Sequence, residues 1–293
     1  LNSEPFTFSP SSRLDSPASR VHLSTLKIML LVIDVGNTNT SLGVYEGERL
    51  VAHWRLTTAR DRTVDEYGVY ARNLFSLVGI NAQEIDAVAV ASVVPPLNFT
   101  LRRMSEVYFR RTPLFIDHTT ETGMPILYEP PSDVGADRIV DAVAALAKYG
   151  APCIVVDFGT ATTCNAVSAR GEYLGGVIMP GIQISSDALF ARAARLPRVE
   201  IKRPEKVVGS STVGSIQSGL YYGYVGLVDG ILRRMIEELG GRAHVVATGG
   251  LAPLIAHGSE LIDDVDDTLT LEGMRIIYER SVQHSAVSHQ PNE

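Results

Sequence analysis

Two short stretches of this chain carry a carboxylate, a glycine and hydroxyls at the same spacing. Asp34-x-Gly36-x-x-x-Thr40 recurs as Asp157-x-Gly159-x-x-x-Thr163. Each Asp ends an apolar run, where it can reach a cation, and each Gly lets backbone approach phosphate oxygens closely. The amides and hydroxyls of such turns donate to those oxygens. The first copy offers Asn37, Thr38, Asn39, Thr40 and Ser41; the second offers Thr160, Thr162 and Thr163. Facing each other across a cleft, the two turns would clamp the β- and γ-phosphates of a nucleotide. Phosphoryl transfer asks for little beyond positioning, a cation and charge stabilisation. Either turn alone is equally well an ordinary polar hairpin; the signal lies in the pair. The sequence has no G-x-x-x-x-G-K-[ST] and no G-x-G-x-x-G, so a nucleotide would be held without a P-loop or a dinucleotide fingerprint.

A third group is Gly135-Ala136-Asp137-Arg138 at the start of a predicted helix. Asp137 there would accept a proton from a substrate hydroxyl, and Arg138 would hold a substrate carboxylate in a forked pair. The plain alternative is a first-turn acid favoured by the helix dipole, followed by an exposed cation. Gly249-Gly250 would let an adenine ring lie against the backbone, or would simply turn a strand into a helix. Tyr221, Tyr222 and Tyr224 read as packing or interface residues, and the basic loop 198–206 as solvated surface.

The elements that must position these groups are legible from periodicity. A strand over 29–35, a strand over 42–45, the Glu46-Gly47-Glu48 turn and a strand over 50–56 make a meander. Thr63 and Glu66 form a capping box ahead of Tyr67, Ala71, Leu74, Phe75 and Val78 at helical spacing. A strand over 86–92, a helix opened by Pro95 and Pro96 through 107, and a strand over 114–116 complete the first third. A helix over 133–149 stops at Gly150. The opening pattern then returns as strands over 153–158, 163–167 and 173–178, the last two joined by Arg170-Gly171-Glu172. Helices over 185–195 and 213–239 follow, the second with Gly219 and Gly223 four apart, then a strand over 243–248 and a helix over 270–279. The expected fold class is α/β: two duplicated actin-like (ribonuclease H-like) domains with mixed sheets and a nucleotide cleft between them. The expected domains are 29–150 and 151–284, with a disordered extension over 1–28 and a disordered tail over 285–293. Met29 stands at the head of the first strand, so 1–28 reads as an addition to a chain starting there.

Composition narrows the partners. The 293 residues are 45% hydrophobic and 20% charged, ordinary for a globular protein of two domains. A net charge of −7 without a basic cluster speaks against nucleic acid. No apolar run approaches the roughly 20 residues that span a bilayer, and the Ser/Pro-rich start lacks the apolar centre of a signal peptide. The two cysteines, Cys153 and Cys164, form no C-x-x-C and read as buried reduced thiols. The expected compartment is the cytoplasm.

Taken in order and spacing, Asp34-Val35-Gly36-Asn37-Thr38-Asn39-Thr40, Gly135-Ala136-Asp137-Arg138 and Asp157-Phe158-Gly159-Thr160-Ala161-Thr162-Thr163 resemble the type III pantothenate kinases, over residues 29 to about 280. The resemblance implies transfer of the ATP γ-phosphate to the primary hydroxyl of pantothenate, the first step to coenzyme A. It implies that Asp34, Val35, Gly36, Asn37, Thr38, Asn39, Thr40, Ser41 and Thr160 hold ATP, with Asp34 near magnesium. Asp137 would be the general base. Gly135, Ala136, Asp137 and Arg138 would contact pantothenate, with Tyr128 and Thr212 as further contacts. Asp157 would bind a monovalent cation, potassium or ammonium. It also implies a homodimer, for which the glycine-notched helix is the interface candidate. A sugar or short-acid kinase of the same fold and a non-catalytic nucleotide-binding regulator remain the alternatives. The Gly135–Arg138 match weighs against the first, and the intact Asp34, Asp137 and Asp157 set against the second.

Overall fold

A computed structural model of the protein describes residues 28–193 and 195–288, the side chains through 284. The expected extension over 1–28 lies almost wholly outside the described residues. Strands β1 (Met29–Val35), β2 (Asn39–Glu46) and β3 (Arg49–Thr57) form the first meander. Helix α1 (Val64–Leu77) follows, with Thr63 and Glu66 closing the capping box. Then come β4 (Ala87–Ser92), α2 (Pro95–Met104) and β5 (Leu114–Ile116). The strands make a sheet ordered β3-β2-β1-β4-β5.

Helix α3 (Ala136–Tyr149) leads into the second set. It comprises β6 (Cys153–Phe158), β7 (Ala161–Val167), β8 (Tyr173–Pro180), α4 (Ile182–Arg192), α5 (Thr212–Glu238), β9 (His244–Thr248), α6 (Ala252–Ala256), β10 (Asp264–Val265) and α7 (Leu269–Ser288). Its sheet runs β10-β9-β6-β7-β8, the first order repeated. The repeat extends to an irregularity. The antiparallel register shifts between Val44 and Tyr45 in β2 and between Ala166 and Val167 in β7, at corresponding positions. Two actin-like α/β halves therefore form the molecule.

Strand alternation decides which side chains meet. Leu31, Ile33 and Val35 of β1 pack under α1 and α2 with Phe75, Leu97 and Leu101. Leu30 and Val32 face the other way, onto a core shared with Ile139 and Val143 of α3 and Leu271 and Met274 of α7. Cys153 and Val155 of β6 join that same core from the second sheet. Ile154, Val156 and Phe158 point outward against Tyr221, Val228 and Leu232 of α5. Helices α3 and α7 are thus a layer between the two sheets. Asp34 continues the Leu30–Val32 face and Asp157 the Cys153–Val155 face, so both carboxylates turn toward that layer.

Several boundaries differ from the sequence-based expectations. Helix α3 begins at Ala136, because Pro131–Asp133 forms a separate 3-10 turn after a cis Glu129–Pro130 bond. Helix α2 stops at Met104 and passes into a π turn over Ser105–Phe109, ended by Arg110 in the left-handed region (φ 58°). Helix α4 starts earlier, at Ile182, and α7 runs to Ser288, so residues 285–288 are helical where a disordered tail was expected. The buried stripe Leu271, Met274 and Ile277 anchors α7 against α3, and the polar turns beyond it carry no apolar period to read. Among the described residues, no helix is long and apolar enough to cross a membrane. Cys153 and Cys164 are buried free thiols.

Candidate active site

Asp34 is the penultimate residue of β1, opposite Ser41 of β2 and beside Ala91 of β4. The chain then turns through Gly36–Asn39, closed by the Gly36 amide donating to the Asn39 carbonyl at 2.9 Å. Asp157 has the same place in β6, opposite Thr163 of β7 and beside Thr248 of β9. The two turns face each other: the Thr38 and Thr160 hydroxyls are hydrogen-bonded at 2.7 Å across the two halves. The equal spacing of the motifs conceals an offset. Val35 pairs with Thr40, leaving a four-residue turn over 36–39, whereas Phe158 pairs with Thr162, leaving three residues over 159–161. Thr40 therefore corresponds to Thr162, and Ser41 to Thr163. This corrects the match of Thr40 with Thr163 that spacing alone suggests. A turn shorter by one residue moves each following side chain to the other face.

The offset sorts the polar side chains. Asn37 and Thr38 are exposed on the first turn, as Thr160 is on the second, and Arg60 donates to Asn37 Oδ1 at 2.9 Å. Thr40 is buried and bonds the Thr58 hydroxyl at 2.9 Å, while Thr58 donates to the Gly36 carbonyl at 2.7 Å. Its hydroxyl braces the turn from behind. Val35 is core, and its carbonyl accepts from the Val93 amide.

Helix α3 enters between the turns. Gly135 is its N-cap, and a Cβ there would lie 2.5 Å from Asp137 Oδ1, so the glycine makes room for the carboxylate. Asp137 accepts from the Arg138 amide at 2.8 Å. Arg138 is buried, not the exposed cation of the plain alternative. Its Nε donates to Asn165 Oδ1 at 2.7 Å, and its guanidinium lies 5.8 Å from the ring centres of both Tyr128 and Tyr173. Tyr173 donates to the same Asn165 oxygen, and Asn165 Nδ2 donates to the Thr163 hydroxyl. Among the described residues Arg138 forms no ion pair with a carboxylate. The Asp137 carboxylate feels its charge without pairing with it; a buried guanidinium without a close ion pair is costly, and held by one nitrogen it keeps its fork for an incoming anion.

One helical turn after Asp137 comes Asp141, 2% exposed, with Thr270 of α7 donating to Oδ1 at 2.7 Å. Asp34, Asp137, Asp141 and Asp157 thus crowd one partly dry layer. Burial pushes Asp34 up to about 8, with Asp137 and Asp157 adding to the rise and the Arg55 charge opposing it. Burial pushes Asp157 up to about 7, again with Asp137 adding and Arg55 opposing. Burial raises Asp137 as well, against the Arg138 amide that favours its ionised form. Asp141 lies well above the usual carboxylate range through burial, then through Asp157. Like charges held apart from water favour the neutral acid or a bound cation.

Gly249 and Gly250 follow β9 behind Asp157. Gly249 has φ 93°, and a Cβ there would fall 2.6 Å from Asp157 Oδ1. Gly250 faces Arg55 of β3, in the other half. Thr212 opens α5 and is exposed in a groove of about 940 Å³ beside Ser185, Leu189 and Gly219. It makes no hydrogen bond with the Asp137–Arg138 group. The structure therefore brings together both turns, Gly135–Arg138 and Tyr128, while Thr212 lines a groove that none of them lines. Asp141, Asn165 and Arg55 escaped the sequence reading. Asp137 and Asp141 are one turn apart on one helix, a signal that was available; Asn165 and Arg55 carried none.

Comparison with known proteins bears on this geometry. Residues 30–234 match the type III pantothenate kinase family. The chain is 60% identical over 263 residues to the type III pantothenate kinase of Koribacter versatilis, covering 86% of this chain and 96% of that one. It is 53% identical over 254 residues to that of Halalkalibacterium halodurans, covering 87% and 100%. A Campylobacter jejuni structure described as a Baf family transcriptional activator superposes with a TM-score of 0.55 at 19% identity, over 86% of this chain and 99% of that one. The ethanolamine utilization protein EutJ of Carboxydothermus hydrogenoformans gives 0.52 at 13%, over 84% and 89%. At such identities the structures report the fold. The sequence relatives go further, and by them this chain belongs to the type III pantothenate kinase family.

Proposed function

We propose that the protein transfers the γ-phosphoryl group of ATP to the primary hydroxyl of pantothenate, giving 4'-phosphopantothenate, the first step of coenzyme A biosynthesis. The observation that carries this reading is the Asp137–Arg138 pair between the two turns. A proton acceptor stands one residue from a buried guanidinium that makes no close ion pair among the described residues. Pantothenate brings both missing groups, a carboxylate for the Arg138 fork and a hydroxyl for Asp137. Asp137 takes the hydroxyl proton as the oxygen attacks the γ-phosphorus. The bond to the β,γ-bridging oxygen breaks and its electron pair leaves with ADP. A base raised by burial retains a proton better than a solvated carboxylate, which suits this role. Tyr128 packs on the guanidinium from one side, and Thr212 is assigned a late contact with the same substrate.

Asp34 through Ser41 and Thr160 are assigned to ATP, with Thr40 and Val35 acting from behind the turn. The site fits cations. Burial and then the Asp137 charge raise both Asp34 and Asp157, and a cation bound there would relieve both. Among the described residues no three His, Cys, Asp or Glu side chains converge on one point. One carboxylate with phosphate oxygens and waters is the usual setting of nucleotide-bound magnesium. Asp34 would hold magnesium and Asp157 potassium or ammonium, and these ions would neutralise phosphate charge. We further assign a cytoplasmic location, a division of the chain near Gly150, and a homodimer through α5. On that helix a Cβ at Gly219, Gly223 or Gly226 would meet nothing within 4 Å.

The test is ADP release with a panel of hydroxyl acceptors, with and without potassium. Turnover with pantothenate and potassium is the expected result. Turnover with a sugar in its place would keep the fold and replace the substrate; nucleotide binding without turnover would make the protein a regulator. Asp137→Asn is expected to lower turnover about 10²–10⁴-fold with ATP binding retained.

A further inference from the structure

Arg55 is unaccounted for by the roles above. It sits on β3 opposite Ser41, which sits opposite Asp34. Residues directly opposite across a sheet share a face, so Asp34, Ser41 and Arg55 form one row facing the α3–α7 layer. Neighbouring strands are about 4.8 Å apart, and an arginine side chain spans the distance back to the turn. The guanidinium reaches further. A Cβ built on Gly250, in the other half, would lie 3.1 Å from Arg55 Nη1 and 3.6 Å from Nη2. Arg55 is also the positive charge felt by both Asp34 and Asp157. It joins no ion pair among the described residues, and its side chain is solvent-accessible. A fixed ion pair does not explain it.

We infer that Arg55 is a further catalytic residue, binding the oxygens of the transferring phosphoryl group between the Asp34 and Asp157 turns. This rests on the phosphotransfer reading. The γ-phosphoryl group gathers negative charge on its outer oxygens as it moves, and a guanidinium held there on closure stabilises that charge. The planar fork matches two phosphoryl oxygens, which a lysine cannot do. The Gly250 contact gives the arm a second function. The guanidinium spans the two halves at the cleft, so its placement depends on how they close over nucleotide.

The rival explanation is purely structural: Arg55 merely offsets the crowded carboxylates, and any cation would serve. Arg55→Gln and Arg55→Lys, made in the full chain, separate the two. With saturating substrates, Arg55→Gln is expected to lower kcat about 10²–10³-fold, with the pantothenate KM within about twofold, and Arg55→Lys is expected to recover only a small part of the loss. A structural counter-charge predicts that Arg55→Lys restores the rate. A second measurement needs no acceptor: equilibrium binding of ATP and ADP with magnesium. If Arg55 contacts the γ-phosphoryl group, Arg55→Gln weakens ATP about tenfold and ADP little. Equal affinities in the variant and the parent, or a kcat within threefold, would overturn the inference. Should the parent fail to turn over pantothenate while Arg55→Gln still loses its preference for ATP over ADP, the acceptor is wrong and the Arg55 assignment stands.

Discussion

The Asp34 turn and the Asp157 turn are built from one plan and finished differently. Both end a central strand, both put a carboxylate on the face of the shared helix layer, and both are followed by a strand with a bulge at the same place. The first turn is one residue longer and exposes Asn37 and Thr38. The second is tighter, and its carboxylate is enclosed from behind by Gly249. At the corresponding place behind Asp34 stands Ser92, whose hydroxyl accepts from the Val94 amide at 3.2 Å. An open turn with free donors suits an anion with many oxygens. A closed one, with its carboxylate pressed against backbone, suits a weakly hydrated cation that gives up water readily. The two halves carry equivalent carboxylates, and on the proposed roles one loop residue and one glycine would divide their work.

The largest expected effects come from exchanging the carboxylates. Asp34→Asn should lower kcat about 10²–10³-fold whatever the monovalent ion, because several kcal/mol of charge stabilisation depends on the metal it would hold. Asp157→Ala should instead bring the rate with potassium down to the rate without it. Rates measured with magnesium fixed and potassium varied check both. If potassium still activates Asp157→Ala, the division of work between the turns is wrong.

Next in size is the glycine behind the second turn. Gly249→Ala would add a Cβ 2.6 Å from Asp157 Oδ1 in a residue with φ 93°. Left-handed backbone for a non-glycine residue alone costs about 1–3 kcal/mol. A markedly lower melting temperature and a blunted potassium response are expected. Ser92→Gly, the mirror exchange, should leave the potassium response intact and cost little stability. Equal losses in the two variants would erase the contrast.

What the sequence disclosed follows the same contrast. Apolar runs ending in Asp-x-Gly, hairpin glycines and helical spacing made the duplicated halves legible, because strand and helix periods are local. The motif spacing of six residues is equal in the two turns, so it hid the offset that pairs Thr40 with Thr162; register is a property of two strands. Arg138 reads locally as a surface cation and is buried because Asn165, Tyr128 and Tyr173 converge on it from other elements. Asp141 reads as the polar side of α3 until α7, more than a hundred residues later, covers it through Thr270.

The pH dependence of stability should also differ between the turns. Asp34 and Asp157 are raised to about 8 and about 7 in the native state, from about 3.8. Between the unfolded and native values the native state holds more protons, so stability falls as pH rises from about 4 to 8. In a chelating, potassium-free buffer the melting temperature should decline across that window. Magnesium and potassium should restore it at the alkaline end, since they bind the ionised carboxylates. Asp34→Asn should flatten the decline up to about pH 8, and Asp157→Asn only up to about pH 7. A profile that is unchanged in both variants would assign the slope to other groups.

The smallest effect tests the offset itself. If Thr40 corresponds to Thr162, each hydroxyl is a brace behind its turn. Thr40 bonds Thr58 at 2.9 Å; Thr162 bonds Tyr224 of α5, whose hydroxyl also donates to the Pro180 carbonyl at 2.9 Å. Thr→Val keeps the shape and removes one buried hydrogen bond, so Thr40→Val and Thr162→Val should each cost about 1 kcal/mol. In both, the partner hydroxyl retains its backbone acceptor, which keeps the loss from growing. Ser41→Ala and Thr163→Val change the other face. Thr163 accepts from Asn165, which holds Arg138, so its loss should raise the pantothenate KM more than it lowers stability. If Thr163→Val instead behaves like Thr40→Val, in melting temperature and in kinetics alike, the one-residue difference between the turns has no functional consequence.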